Sequence, residues 1–187
     1  MTPEPFHHGV LIAGFGGQGV VLAGKLLATA ALAEERQVVW APSYGPEMRG
    51  GPVHCTVIIS SGRIGSPEIS QADSLVIMDR ASVSKFSGRV KPGGLVVLNS
   101  SLIPESVSVD GCPTLRIAAN EIAEEMGDLR IANAIMLGAF LTHQPVVSVA
   151  SLEDAIRTVG RESGSKSAAI DLNIRGLARG VEVGRGE

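Results

Sequence analysis

The chain has 187 residues, enough for one domain that removes ~70% of its unfolded surface from water. Its formal net charge of −3 comes without any basic stripe, which excludes nucleic acid as a partner. Hydrophobic residues make up 44% and charged residues 19%, yet no apolar run is long or uninterrupted enough to span a bilayer, which excludes a membrane-spanning role.

The first residues, Met1-Thr2-Pro3-Glu4-Pro5, are polar and acidic, unlike the basic start of a secretory signal, and a cytoplasmic protein is expected. A short apolar strand follows at Val10–Ala13, then Gly14-Phe15-Gly16-Gly17-Gln18-Gly19, then a long apolar helix over Gly17–Glu35. Strand, glycine turn and helix in that order build a place for an anion. Glycines let the backbone turn tightly and approach a ligand, and the first-turn N–H groups and the helix dipole favour negative charge there. Gly14, Gly16 and Gly19 match the dinucleotide-binding spacing, which also calls for an acid about 20 residues on, at the end of the second strand. That strand, Val38–Ala41, ends in Pro42-Ser43 with no carboxylate. The turn therefore has two readings: an incomplete ligand site, or a tight strand-to-helix turn packed on the sheet.

Pro42 to Pro52 reads as a loop, rigid at its prolines and permissive at its glycines, holding the chain's one tyrosine. After the second strand of an open parallel sheet it lies at the carboxyl edge, where ligands bind. Ser43, Tyr44, Glu47 and Arg49 then face the glycine turn across one crevice; the plain alternative is a solvated Glu47–Arg49 pair worth at most ~1 kcal/mol.

Further strands are expected at Val53–Ser60, Ser74–Met78, Leu95–Asn99 and Thr114–Ile117. Further helices are expected at Ala81–Phe86, Ala119–Met126, Ile131–His143, Leu152–Gly160 and Ser165–Val181, with a frayed tail over 182–187. Runs such as Leu75-Val76-Ile77-Met78 and Leu95-Val96-Val97-Leu98 read as strands buried on both faces. Strands alternating with helices predict an α/β fold of one domain over 1–187: a Rossmann-like three-layer αβα arrangement with a mostly parallel sheet.

The reactive residue types give little sign of independent catalysis. Cys55 and Cys112 stand far apart, so this chain alone builds no iron–sulfur or zinc cage, and both read as small buried hydrophobes of a reducing compartment. His54 and Cys55 are strand neighbours and point to opposite faces, a poor base-and-nucleophile pair. Lys25 reads as a snorkelling stem, and His143 as an interaction at a helix C-terminus. Asn133, near a helix start, either turns its amide to the crevice or caps nearby backbone.

Two motifs together are recognisable: Gly14-Phe-Gly-Gly-Gln-Gly-Val-Val-Leu-Ala-Gly-Lys-Leu-Leu-Ala, and Pro42-Ser-Tyr-Gly-Pro-Glu-Met-Arg-Gly-Gly. With Ile58–Ser61, Ile64–Pro67, Gln71–Asp73 and Asn133–Gly138, they resemble, in order, the gamma subunit of 2-oxoacid:ferredoxin oxidoreductases. The resemblance implies part of a complex that oxidatively decarboxylates a 2-oxoacid, 2-oxoglutarate being favoured, to an acyl-coenzyme A while reducing ferredoxin. It places thiamine diphosphate with its Mg2+ and the iron–sulfur clusters in alpha, beta or delta subunits, and the chain has no Gly-Asp-Gly motif for the first and no cysteine set for the second. The role it leaves here is completing the complex, inactive alone and able to pair with itself when isolated, with contact to coenzyme A or the active-site mouth. On that reading the amides of Gly16, Gly17, Gln18 and Gly19 meet a phosphate or a partner loop, Arg49 a phosphate and Tyr44 an adenine or a partner surface. The competing readings are a stand-alone nucleotide- or flavin-binding protein, and a scaffold that kept the fold and lost the ligand.

Overall fold

The computed structural model describes residues 6–44 and 51–187. The first strand, β1, runs His7–Phe15, and its centre, Val10 to Ala13, is fully buried. Successive side chains of a strand point to opposite faces. Val10 and Ile12 enter one hydrophobic cluster and Leu11 and Ala13 the other, so β1 forms the middle of a sheet covered on both sides. Val10, Leu11 and Ile12 each contribute about 1.5–3 kcal/mol by leaving water. Helix α1 follows at Val20–Ala33, three residues later than the sequence suggests, because Gly17 and Gly19 hold left-handed turn geometry ahead of it.

The remaining strands are β2 (Gln37–Tyr44), β3 (Pro52–Ser60), β4 (Ala72–Ile77), β5 (Val90–Asn99) and β6 (Thr114–Ile117). They form one sheet in the order β2-β3-β1-β4-β5-β6. The sheet is mostly parallel, as expected, but mixed: β3 runs antiparallel to both β1 and β2 and lies between them. Only 45–51 separate β2 from β3, too few for a crossover helix, so β3 must return alongside its predecessor. Pro42-Ser43-Tyr44, expected in a loop, instead continues β2, pairing with Cys55, His54 and Val53. Pro42 is tolerated because β2 is an edge strand.

The helical layers are unequal. One face carries α1, α3 (Ala119–Glu125), α4 (Ala132–His143), α5 (Val149–Glu162) and α6 (Ser167–Arg185). The other carries α2 (Arg80–Phe86) and the 100–113 segment, which contributes Ile103 and Val109. Helix α4 is buried over its whole apolar length from Ala132 to Leu141, sandwiched between the sheet and α6. The two helices approach so closely that a Cβ on Gly138 would strike the Leu177 carbonyl, and one on Gly180 the Ile135 carbonyl. This contact anchors α6, which runs to Arg185, beyond the Val181 expected from the sequence, and ends on a left-handed Gly186.

Candidate functional site

The direction of the strands gathers several chain ends at one place. Phe15 pairs with Pro52 and Tyr44 with Val53, so the turn after β1, the end of β2 and the start of β3 meet at the carboxyl edge. From β1 the sheet extends one way through β3 to β2 and the other through β4 and β5, so the strand order reverses between β1 and β4. In open α/β sheets the crevice outside such a reversal is where ligands bind.

The glycine turn occupies that crevice, and its hydrogen bonds show what it has left to offer. Gly17 has φ 112° and Gly19 φ 75°, a region that side chains with a Cβ rarely adopt. The Gly16 amide donates to the Gly51 carbonyl at 3.0 Å, and the Gln18 amide to the Phe15 carbonyl at 3.2 Å. Two of the amides expected to face an anion are thus already in use. Those of Gly17, Gly19 and the first α1 turn, Val20 to Leu22, find no acceptor among the described residues.

The Gln18 side chain does what sequence reasoning did not foresee. Its Oε1 accepts from the Phe15 amide at 3.0 Å, and its Nε2 donates to the Met78 carbonyl at 3.1 Å. The carboxamide lies over Gly14 and joins the end of β1 to the end of β4, across the crevice itself. Asn99 Nδ2 donates to the same Met78 carbonyl at 3.2 Å and to Asn120 Oδ1 at 2.8 Å, extending the network to β5 and α3. Asn133 is 2% exposed. It donates from Nδ2 to the Gly19 carbonyl at 3.2 Å and accepts at Oδ1 from the Ala134 amide at 2.8 Å. Of its two sequence readings, the structure shows the backbone bond: α4 holds the glycine turn through this side chain.

Three clefts surround the turn, and Phe15 lines all of them. One of about 290 Å³ lies between Phe15, Val20, Leu22, Tyr44 and Val53, with no ionisable side chain except Tyr44 among its lining residues. A second, about 250 Å³, is bounded by Gln18, Met78, Asn120, Leu129 and Arg130. The third, about 390 Å³, opens on the α2 side, where Asp79 and Lys85 line it. Asp79 also caps α2 by accepting from the Ser82 amide at 3.3 Å. Ser43 and Tyr44 are exposed at the end of β2, whereas Glu47 and Arg49 lie outside the described residues.

The other chemically suggestive residues are structural. Lys25 is partly exposed and pairs with Glu162 at 3.6 Å. Cys55 packs on α1 and donates to the Val20 carbonyl, and burial pushes its thiol up to about 12, which removes it as a nucleophile or ligand. His54 points the other way, against the Phe86 ring at 4.8 Å. His143 bonds through Nδ1 to Thr142 Oγ1 in the last turn of α4. Among the described residues no group of three His, Cys, Asp or Glu side chains can hold a metal ion, and no helix is long and apolar enough to cross a membrane.

A polar cluster that the sequence did not reveal lies at the opposite, amino edge, in a cleft of about 510 Å³. His8 bonds to Ser74 Oγ at 3.0 Å and faces Gln144 at 3.4 Å. Asp73 accepts from the Gly9 amide at 2.7 Å and from Lys91 Nζ at 2.5 Å. Between its pairings with Ala72 and Ser74, β5 loops out Lys91 to Gly94, which carries the lysine back onto Asp73. The groups bond to one another across three strands, a signature of structural fastening.

Residues 9–183 match the protein family described as pyruvate ferredoxin/flavodoxin oxidoreductase. The chain is 39% identical over 177 residues to a ketoisovalerate oxidoreductase subunit VorA from Methanothermobacter marburgensis, covering 94% of this chain but 36% of that one. It is 34% identical to a 2-oxoglutarate synthase subunit KorC from Methanocaldococcus jannaschii, over 94% of this chain and 93% of the other. The solved structure of a keto/oxoacid ferredoxin oxidoreductase gamma subunit from Geobacter sulfurreducens superposes with a TM-score of 0.81 at 30% identity, covering 96% and 99% of the two chains. The chain thus spans about a third of the VorA-type relative and nearly all of the KorC-type one.

Proposed function

Because the chain belongs to the pyruvate ferredoxin/flavodoxin oxidoreductase family, we propose that it is the gamma subunit of a thiamine-diphosphate-dependent 2-oxoacid:ferredoxin oxidoreductase in the cytoplasm. The complex decarboxylates its 2-oxoacid oxidatively, leaves an acyl-coenzyme A and passes the electrons to ferredoxin. Alpha and beta chains, with delta where present, supply the thiamine diphosphate, its Mg2+ and the iron–sulfur clusters. This chain completes the assembly, is inactive alone and brings its carboxyl edge to the coenzyme A-bearing mouth. There Ser43 and Tyr44 lie beside the glycine turn, whose remaining amides meet a phosphate or a partner loop. The observation that carries the reading is full-length likeness to a free-standing gamma subunit in both sequence and structure. The free-standing KorC relative, named as a 2-oxoglutarate synthase subunit, makes 2-oxoglutarate the oxoacid we put first.

The stand-alone nucleotide-binding alternative loses support from the same geometry. No acid ends β2, and the Gln18 carboxamide spans the crevice that a dinucleotide would enter. The test is to tag the chain in its own cells, purify it gently and assay coenzyme A-dependent reduction of ferredoxin or a viologen dye with a panel of 2-oxoacids. Turnover is expected from the complex and none from the chain expressed alone, with 2-oxoglutarate the best substrate. A well-folded chain recovered without any thiamine-diphosphate-binding partner sinks the proposal.

A further inference from the structure

Resting on that subunit reading, we infer that the glycine turn is a socket for a partner chain rather than a phosphate cradle. Its occupant is an apolar segment of the chain homologous to the part of VorA-type relatives that lies outside the present match. The described large apolar side chains that remain exposed are Phe15, Leu22, Leu32, Trp40, Tyr44, Leu102 and Leu129. Phe15, Leu22, Tyr44 and Leu129 gather around the one glycine turn, lining the two adjoining clefts. Exposed apolar side chains scattered singly are ordinary, but a contiguous group marks an interaction site.

The chemistry of the larger of these two clefts selects the occupant. Among the described residues no Lys, Arg or His lines it, and the Gly16 and Gln18 amides are already bonded within the chain. A polyanion would find no countercharge there among the described residues. What the cleft offers is an apolar wall with aromatic residues at its margin, depleted of charge as interface centres are. Beside that wall, the amides of Gly17, Gly19 and Val20 to Leu22 present donors matched to main-chain carbonyls of an extended segment. The nature of the partner follows from the longer relative. There the matched unit is 36% of one polypeptide, so the same fold is tethered permanently to the rest of that chain. A free-standing version needs a surface that replaces the tether, and this edge is the part of the described surface built for it.

The experiment compares the tagged wild-type chain with Phe15→Glu, Leu22→Glu and, as a control away from these clefts, Leu32→Glu, each purified from its own cells. Recovery of the VorA-remainder homologue, identified by mass spectrometry, is expected to fall at least tenfold for Phe15→Glu and Leu22→Glu and to stay unchanged for Leu32→Glu. Thermal unfolding of each isolated variant confirms that the fold is kept. A variant that does not fold is replaced by hydrogen exchange on the intact wild-type complex. There the amides of 15–22 are expected to exchange at least tenfold more slowly than in the isolated chain. If the wild type recovers no such homologue, the subunit reading fails and the socket with it. If the wild type recovers it and both edge variants do too, or exchange at 15–22 is the same in complex and isolated chain, the socket alone is overturned.

Discussion

Gln18 shows how one side chain can redirect a glycine turn. Its amide, Oε1 and Nε2 all bond within the chain, to Phe15 twice and to Met78 once. Gln18→Ala leaves the Phe15 amide without its partner, while the Met78 carbonyl keeps its bond from Asn99. Phe15 is exposed, so water takes up the freed amide and losing the bond costs about 0.5–1.5 kcal/mol. Urea unfolding of Gln18→Ala is therefore expected to show an unfolding free energy lowered by that amount, read as a lower midpoint at unchanged slope. An unaltered midpoint means the carboxamide contributes nothing to the turn. In the sequence Gln18 stands at a variable position of the Gly14, Gly16, Gly19 spacing, so nothing local distinguishes an outward ligand contact from an inward clasp. The same holds for Asn133, whose partner at Gly19 lies 114 residues away. Only the fold can bring two such positions together.

At the scale of elements, the amino-edge cluster ties β1, β4 and the end of α4 together, and its titration gives a testable pH dependence. Burial, with smaller effects from Lys91 and His7, holds His8 below its ordinary value of 6.5, against an opposing pull from Asp73. Ser74, Gln144 and His143 complete the groups around it. A histidine whose folded value is depressed is protonated more readily in the unfolded chain, so its stabilisation is whole above about pH 6.5 and is lost as pH falls through that value. Burial raises the Asp73 carboxyl, but the Gly9 amide and Lys91 outweigh it and hold it below 3.8, so its loss belongs to a more acidic window. Thermal midpoints are expected to fall between pH 7 and 5, and His8→Gln is expected to make that slope shallower. His54, also depressed by burial and by Arg89 and Lys85, accounts for a residual slope. Equal slopes in variant and wild type remove His8 from the account. This cluster was not legible beforehand because His8, Asp73 and Lys91 come from three separated strands. The strands themselves were, since runs such as Leu75–Met78 and Leu95–Leu98 are apolar on both faces. What alternation of strands and helices concealed was the direction of β3, and the short 45–51 link was the signal that could have shown it.

For the whole molecule, the question is whether the carboxyl edge is an active site in its own right or one wall of a site completed by others. The sheet order places the glycine turn, the end of β2 and the start of β3 where a nucleotide-binding protein of this class would hold its cofactor. Three features turn that site away from a dinucleotide. Trp40 and Ala41 at the end of β2 lead into Pro42-Ser43-Tyr44 with no acid for a ribose hydroxyl. Gln18 joins β1 to β4 across the opening. Asn133 fastens the turn from behind, so Gly19 is not free to move aside. Opening the crevice would break the Gln18 bonds to Phe15 and Met78 before a pyrophosphate gained any contact. The amides left over, with the apolar side chains beside them, suit a neutral protein segment. The isolated chain is accordingly expected to purify colourless and to give no saturable response to NAD, NADP, FAD or FMN up to millimolar concentration. Quenching of Trp40, which is 36% exposed at the edge strand, is the readout, checked by calorimetry. Saturable binding of any of these at micromolar concentration by the isolated chain reverses the conclusion and makes the turn a cofactor site. Silence, together with coenzyme A-dependent turnover in the recovered complex, leaves the edge as a wall that acts only when a partner closes it.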